Sequence, residues 1–307
     1  MSRVKKIDTR GLEYWRPQVQ EIQEDSIHSS AYLADKALNI IEEYIHKRLY
    51  RNRTELIQNL SKLGNALVRA QPLMALIYNR AHRIIEFIQE IPREEKDINV
   101  IREMVLKEIQ QIRTDFIERQ KSITRLGARL ILDQHTVLTH SASSVVENIL
   151  LEAKRQRKRF RLICTESRPR YEGVELAKKM ARAGIRTRLI PDADITRAVN
   201  DAHFVLTGAD RVTENTFVNK TGTGALAVLA KELNKPFYIA VDTDKILLKR
   251  VYPTRFRSVH EQEILAEEVP NLTVQNYYFE EVSLSYLHKI ISETGIYEVE
   301  EFIERFL

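Results

Sequence analysis

Cysteine is almost missing: Cys164 is the only one in 307 residues. A lone thiol excludes an internal disulfide framework and a cysteine-built metal site, and it sets the expectation of a reducing, cytoplasmic compartment. Glycine and proline are scarce too, at nine and eight residues, which argues against disorder and long flexible linkers. No apolar run approaches the ~18 residues of a membrane span, so no membrane association is expected. The opening segment MSRVKKIDTRGLEYWRPQVQ is charged and shows no apolar h-region, so a signal peptide is not expected. No GxGxxG follows a first strand and no GxxxxGK[ST] occurs, which weakens dinucleotide and Walker-type readings. Internal repeats of roughly 20–50 residues and low-complexity segments are absent as well. Charge, by contrast, is plentiful. A 30% share of Asp, Glu, Lys and Arg fits a helix-rich, salt-bridged surface, and the net +5 permits phosphate ligands without demanding them.

The chain has two halves with different periodicity. Residues 1–125 hold only Gly11 and Gly64, and their apolar residues recur at helical spacing. Stripes run from Ile27 to Ile45, Leu56 to Leu67, Leu73 to Ile88 and Ile98 to Phe116. Asp25 or Ser26, Thr54 and Asp97 suit N-caps. This half predicts a helical N-terminal domain, a bundle without a catalytic constellation. From Gly127 onward seven of the nine glycines appear, and short apolar runs alternate with helical ones. Strands are expected at 136–139, 160–165, 187–190, 203–207, 237–241 and 272–275. Helices are expected at 143–155, 173–183, 195–200 and 225–234, and again from Phe279 to the end. That alternation predicts an α/β domain over 126–307, a parallel sheet with helices on both faces.

In open parallel sheets, ligands bind beyond the carboxyl ends of the strands. Those positions are polar one after another. The first strand leads into His140, Ser141, Ser143 and Ser144, and the second into Glu166, Ser167, Arg168 and Arg170. The third leads into Asp192 and Asp194, and the fifth into Asp242, Thr243, Asp244 and Lys245. The fourth is the most informative. After Gly208, Ala209 and Asp210 the chain enters a polar loop, then reaches Asn219, Lys220, Thr221, Gly222, Thr223 and Gly224 where a helix begins. Unpaired N–H groups at a helix start favour anions. Arg168, Arg170 and Lys220, with serines or Gly-Thr-Gly at helix starts, suit a phosphorylated small molecule. Asp210 suits acid–base work on a sugar carbon or hydroxyl. The plain alternative is a strand–loop–helix connection with glycines for turns.

GAD at 208–210, NK at 219–220, Gly-Thr at 222–223 and KPFY at 235–238 resemble the alpha, beta and delta subunits of translation initiation factor 2B. LTHSASS at 138–144, TESRPRYEG at 165–173, QNYYFEEV at 275–282 and ISETGI at 291–296 fit the same family, and the likeness spans residues ~20 to 300. The family has metabolic branches, ribose-1,5-bisphosphate isomerase and methylthioribose-1-phosphate isomerase. The resemblance implies a helical N-terminal half, a Rossmann-like C-terminal half, a homodimer or larger assembly, and initiation factor 2 as a partner. It implies Ser141, Arg168, Arg170, Asn219, Lys220, Gly222 and Thr223 as ligand-binding residues, with Asp210 catalytic only in an isomerase.

Three departures favour a non-catalytic regulatory subunit over an aldose–ketose isomerase. The isomerases carry a cysteine where this chain has Ser141, and a serine hydroxyl does not ionise near neutrality without a dedicated base. Their early glycine-rich segment corresponds to His28-Ser29-Ser30, and their Arg-Pro-Thr corresponds to Gln71-Pro72-Leu73. On the other side, Arg168-Pro169-Arg170 looks like the isomerases. A metabolite-binding protein unconnected with translation is the third reading.

Other features read plainly. Cys164 falls inside a strand and reads as packed core rather than a relocated catalyst. The run KRQRKRFR at 154–161 reads as a solvated turn at a helix end, with no aromatic interleaving for base stacking, so direct nucleic-acid binding is not expected. His135, His140 and His203 read as hydrogen-bonded histidines, and no metal or cofactor is assigned. Tyr277, Tyr278 and Phe279 read as packing.

Overall fold

The computed structural model describes residues 10–25 and 28–307. The chain forms two compact units that divide between Phe116 and Ile117. The first unit holds α1 (Arg10–Glu24), α2 (Ser30–Lys47), α3 (Arg53–Ala70) and α4 (Ala75–Glu90). The division falls inside α5 (Ile98–Leu130). The sequence stripe from Ile98 ended at Phe116, yet the helix continues because Ile123 and Ala128 are fully buried in the core of the second unit.

The helical stripes bury as their spacing requires. Leu33, Leu38, Ile41 and Ile45 line α2, and Leu56, Leu60, Leu63 and Leu67 line α3, all at most 1% exposed. Two caps differ from expectation. Ser29 caps α2, accepting from Tyr32 N–H at 3.3 Å, and Asn52 caps α3 in place of Thr54, accepting from Glu55 N–H at 2.9 Å. Asp97 does open α5, accepting from Asn99 N–H at 2.8 Å. Ser26 and Ile27 lie outside the described residues.

The second unit carries β1 (Thr136–Thr139), α6 (Ser144–Arg155), β2 (Arg161–Thr165), α7 (Glu172–Arg182), β3 (Arg186–Ile190), α8 (Ile195–Asp201) and β4 (Phe204–Gly208). There follow β5 (Arg211–Val212), β6 (Thr216–Lys220), α9 (Thr223–Glu232), β7 (Phe237–Ala240), β8 (Phe279–Ser283), β9 (Lys289–Ser292), β10 (Gly295–Tyr297) and α10 (Val299–Phe306). Seven strands form one sheet in the order β10-β9-β7-β4-β1-β2-β3. All pairs are parallel except β9–β10. The continuous burial of β1 and β4 is what a sheet covered on both faces demands.

Three expectations fail. Residues 272–275 form no strand. The stretch from Phe279 is mostly β8, β9 and β10, with helix only at Val299–Phe306. The polar loop after Asp210 is folded as β5 and β6, which pair with β8 in a second, antiparallel sheet. Strand order reverses between β1 and β4, so the crevice at their carboxyl ends is where such a sheet places a ligand.

Candidate ligand site at the strand ends

Immediately after the end of β1 sits a buried hydrogen-bond chain. His140 is 4% exposed. Its Nε2 lies 2.9 Å from Thr221 O, an atom that only accepts, so Nε2 carries the proton. Nδ1, 2.7 Å from Thr165 Oγ1, then accepts from that hydroxyl. Thr165 Oγ1 in turn accepts from Ser167 Oγ at 3.1 Å, and Ser167 Oγ accepts from Ser141 N–H at 2.8 Å. Every member has one consistent role. Burial pushes the His140 pKa below its ordinary value, in keeping with a neutral ring. Gly222 closes against it with φ +106°, and a Cβ there would lie 2.9 Å from His140 Nε2.

The chain ties together the ends of β1 and β2 and the approach to α9. Ser141 and Ser167 adopt φ of +68° and +63°, left-handed values that non-glycine residues take mostly where surrounding structure imposes them. Asp192 fixes the turn after β2, accepting from Ser167 N–H at 2.8 Å and Arg168 N–H at 2.7 Å.

Around this frame the cations and N–H groups already have partners. Lys220, 3% exposed, places its ammonium 2.8 Å from Glu172 Oε1, and the same oxygen accepts from Ser141 Oγ at 3.2 Å. Glu172 Oε2 is buried without a hydrogen-bond partner. Arg170 pairs with Glu263, whose second oxygen accepts from Tyr278 Oη at 2.6 Å. Burial would lower the Arg170 pKa, but the hydrogen bond to Glu263 and the nearby Tyr278, Glu263 and Glu172 together outweigh it and hold the guanidinium above its ordinary value. Burial would raise Glu263, but Tyr278 and Arg170 hold its carboxyl below the ordinary range. The ring of Tyr278 lies 5.4 Å from the Lys220 ammonium and 5.8 Å from Arg170. At the start of α9, Gly222 N–H and Gly224 N–H donate to Glu280 Oε1 at 2.7 and 2.8 Å. Register places Glu280 directly opposite Asn219.

The remaining candidates sit as follows. Asn219 Nδ2 donates to Thr223 Oγ1 at 3.0 Å, and Thr223 Oγ1 donates to Lys220 O at 2.6 Å, which locks the turn into α9. Arg168 is turned outward onto Tyr171, 2.8 Å from its hydroxyl, and does not share the Lys220 and Glu172 pairing. Asp210 lies 3.8 Å from the Lys245 ammonium, which donates to Ala209 O at 2.7 Å. Asp242, with its side chain fully buried, lies 3.0 Å from Arg119 Nε, and Asp244 pairs with the same guanidinium. The sequence reading picked out Lys220 and Arg170 but missed Glu172, Glu263 and Glu280. Glu172 and Glu280 do fall within the motifs TESRPRYEG and QNYYFEEV.

Among the described residues no group of three His, Cys, Asp or Glu is placed to hold a metal ion, and no helix is long and apolar enough to cross a membrane. His135 stacks on His203 with centroids 4.9 Å apart. Burial pushes the Cys164 thiol up to about 12, so it carries no thiolate chemistry near neutrality.

In the helical unit, the segments His28-Ser29-Ser30 and Gln71-Pro72-Leu73 hold helix ends. Gln71 Nε2 donates to Ile22 O, Gln23 O and Asp25 O at 2.9, 3.2 and 3.0 Å, closing the carbonyl end of α1. Ser29 caps α2, and His28 leans on Asp25 at 2.8 Å.

Residues 26–299 match the initiation factor 2 subunit family. The chain belongs to that family. It is 31% identical over 283 residues to a Pyrococcus furiosus protein named as translation initiation factor eIF-2B subunit 2-like, covering 91% of this chain and 94% of that one. It is 26% identical over 282 residues to ribose 1,5-bisphosphate isomerase of Methanocaldococcus jannaschii, covering 90% and 89%. Among solved structures, the translation initiation factor eIF-2B of Pyrococcus horikoshii OT3 superposes with a TM-score of 0.75 at 28% identity, covering 94% and 96%. The family thus holds both initiation-factor-like subunits and sugar-phosphate isomerases.

Proposed function

We propose that this chain is a non-catalytic regulatory subunit of the initiation factor 2B type, whose strand-end crevice senses a phosphorylated metabolite. The observation that carries the reading is the set of carboxylates already seated on the crevice's anion-binding groups. Glu172 holds the Lys220 ammonium, Glu263 the Arg170 guanidinium, and Glu280 the N–H groups of Gly222 and Gly224. A phosphate entering there must displace these glutamates, which costs affinity. Ser141 adds to this, because it stands where the isomerases carry a thiol. The likeness to the Pyrococcus subunit-2-like protein supports the same reading. The subunit self-associates, binds initiation factor 2 and works in the cytoplasm. The test is a pull-down with purified initiation factor 2, with size-exclusion light scattering for the assembly. Failure to retain initiation factor 2 removes the translation role.

The second reading is an isomerase converting an aldose 1-phosphate of the ribose 1,5-bisphosphate type to the ketose. Its specific support is Glu172 within 3.2 Å of Ser141 Oγ, a carboxylate that supplies the base a serine hydroxyl otherwise lacks. Asp210 would then move the proton between C1 and C2. Turnover assays with both family substrates separate the two readings.

A further inference from the structure

The opposite, amino-terminal end of the same sheet carries a second charged feature. Lys154, Arg157, Lys158, Arg159, Arg161 and Arg186 line one groove. Two properties of it are invisible in the sequence. First, β3 brings Arg186 into register with Arg161 on β2, so two like charges face each other across neighbouring strands, an arrangement that costs stability. Second, no carboxylate among the described residues pairs with the side chains of the cluster. Lys154 donates to Gly184 O at 2.7 Å and Lys158 to Ala128 O at 2.6 Å, so both ammonium groups are held in place by neutral carbonyls. Among the described residues none of the six takes part in an ion pair. Nearby Asp133 accepts from the Arg159 backbone N–H, and Glu152 is engaged by Arg155 outside the groove.

The dipole at the end of α6 accounts for Lys154 but not for arginines beyond the helix. A cluster of unneutralised cations, two of them held in place and two others carrying an electrostatic cost, fits a polyanionic partner. Arginines grip phosphate oxygens bidentately. The apolar residues of the groove, Phe160 and Ile185, are buried, so it offers no anchor for the apolar side chains that a protein segment brings. It has no exposed ring on which a base stacks.

We propose that this groove binds the sugar–phosphate backbone of a nucleic acid without reading its sequence. The test is fluorescence-anisotropy titration of the full chain with a 20-nucleotide mixed-sequence RNA, a DNA of the same sequence, and polyglutamate of equal length, across a salt series. RNA and DNA should bind alike at low salt, well ahead of polyglutamate, with affinity falling steeply as salt rises. Replacing Arg159→Ala, Arg161→Ala and Arg186→Ala together should make the log–log salt slope shallower by roughly 2 for single strands. The triple variant should melt no lower than wild type, since it removes like-charge repulsion, so loss of binding is not loss of fold. An unchanged slope in the variant, or no binding of either nucleic acid at low salt, overturns the proposal. Polyglutamate binding as tightly as RNA overturns it in favour of an acidic protein segment.

Discussion

Glu172 Oε1 lies 2.8 Å from the Lys220 ammonium. Lys220 is 3% exposed, so removing that carboxylate leaves a buried ammonium without its ion-pair partner. Glu172→Gln should therefore lower stability by about 1–3 kcal/mol, the cost of leaving a buried charged donor poorly matched. It should also open the crevice to anions. Added inorganic phosphate should raise the melting temperature of Glu172→Gln and leave wild type nearly unmoved. Equal stabilisation of both proteins would show that Glu172 does not guard the site.

His140 makes stability depend on pH. Its folded pKa is depressed by burial, so the unfolded chain binds the proton more readily. The stabilisation is complete above the unfolded value near ~6.5 and drains away as pH falls toward the folded value, at up to about 1.4 kcal/mol per pH unit. The midpoint of urea unfolding should fall more between pH 7.5 and 5.0 for wild type than for His140→Gln. Identical pH dependence in the two would mean that the neutral ring is not part of the stability.

Gly173→Ala should be strongly destabilising. A Cβ at Gly173 would lie 2.0 Å from Thr165 O and 2.7 Å from Ser167 Oγ, so the first turn of α7 must back away from β2. Overpacking of this kind costs roughly 1–3 kcal/mol or more, and here it would also break the Ser167 link to Ser141. Thermal melting reads the loss. A variant as stable as wild type would contradict the close approach.

Cys164 should be inert. With its pKa pushed up to about 12 by burial, the thiol of the folded protein should resist iodoacetamide at pH 8 and react promptly once the chain is unfolded in urea. Fast alkylation of the native chain would reopen the question of a relocated nucleophile.

The five parallel strands β1, β2, β3, β4 and β7 and their helices were legible in the sequence because each carries a local apolar run of the right period. Val137, Leu138, Ile163, Val205 and Ile239 announce themselves. What was not legible depends on distant partners. Thr216–Lys220 looked like a polar loop because its strand character comes from pairing with Phe279–Ser283, some 60 residues on in the chain. Lys289–Ser292 and Gly295–Tyr297 are too short to outweigh the helical look of what surrounds them. The site divides the same way. Lys220 and Arg170 stood out by charge at strand ends, whereas the pairing of Lys220 with Glu172, Arg170 with Glu263 and the α9 N–H groups with Glu280 exists only once the strand ends converge. Arg168 shows the reverse error. It carries the right charge at the right place in the chain, and the turn set by Asp192 leaves it on Tyr171.

The most direct test of the central claim is a turnover assay on the purified chain with ribose 1,5-bisphosphate and methylthioribose 1-phosphate. The account predicts no ketose product from wild type, from Asp210→Asn or from Glu172→Gln. Product from wild type that disappears in Asp210→Asn would contradict it and make the chain an isomerase.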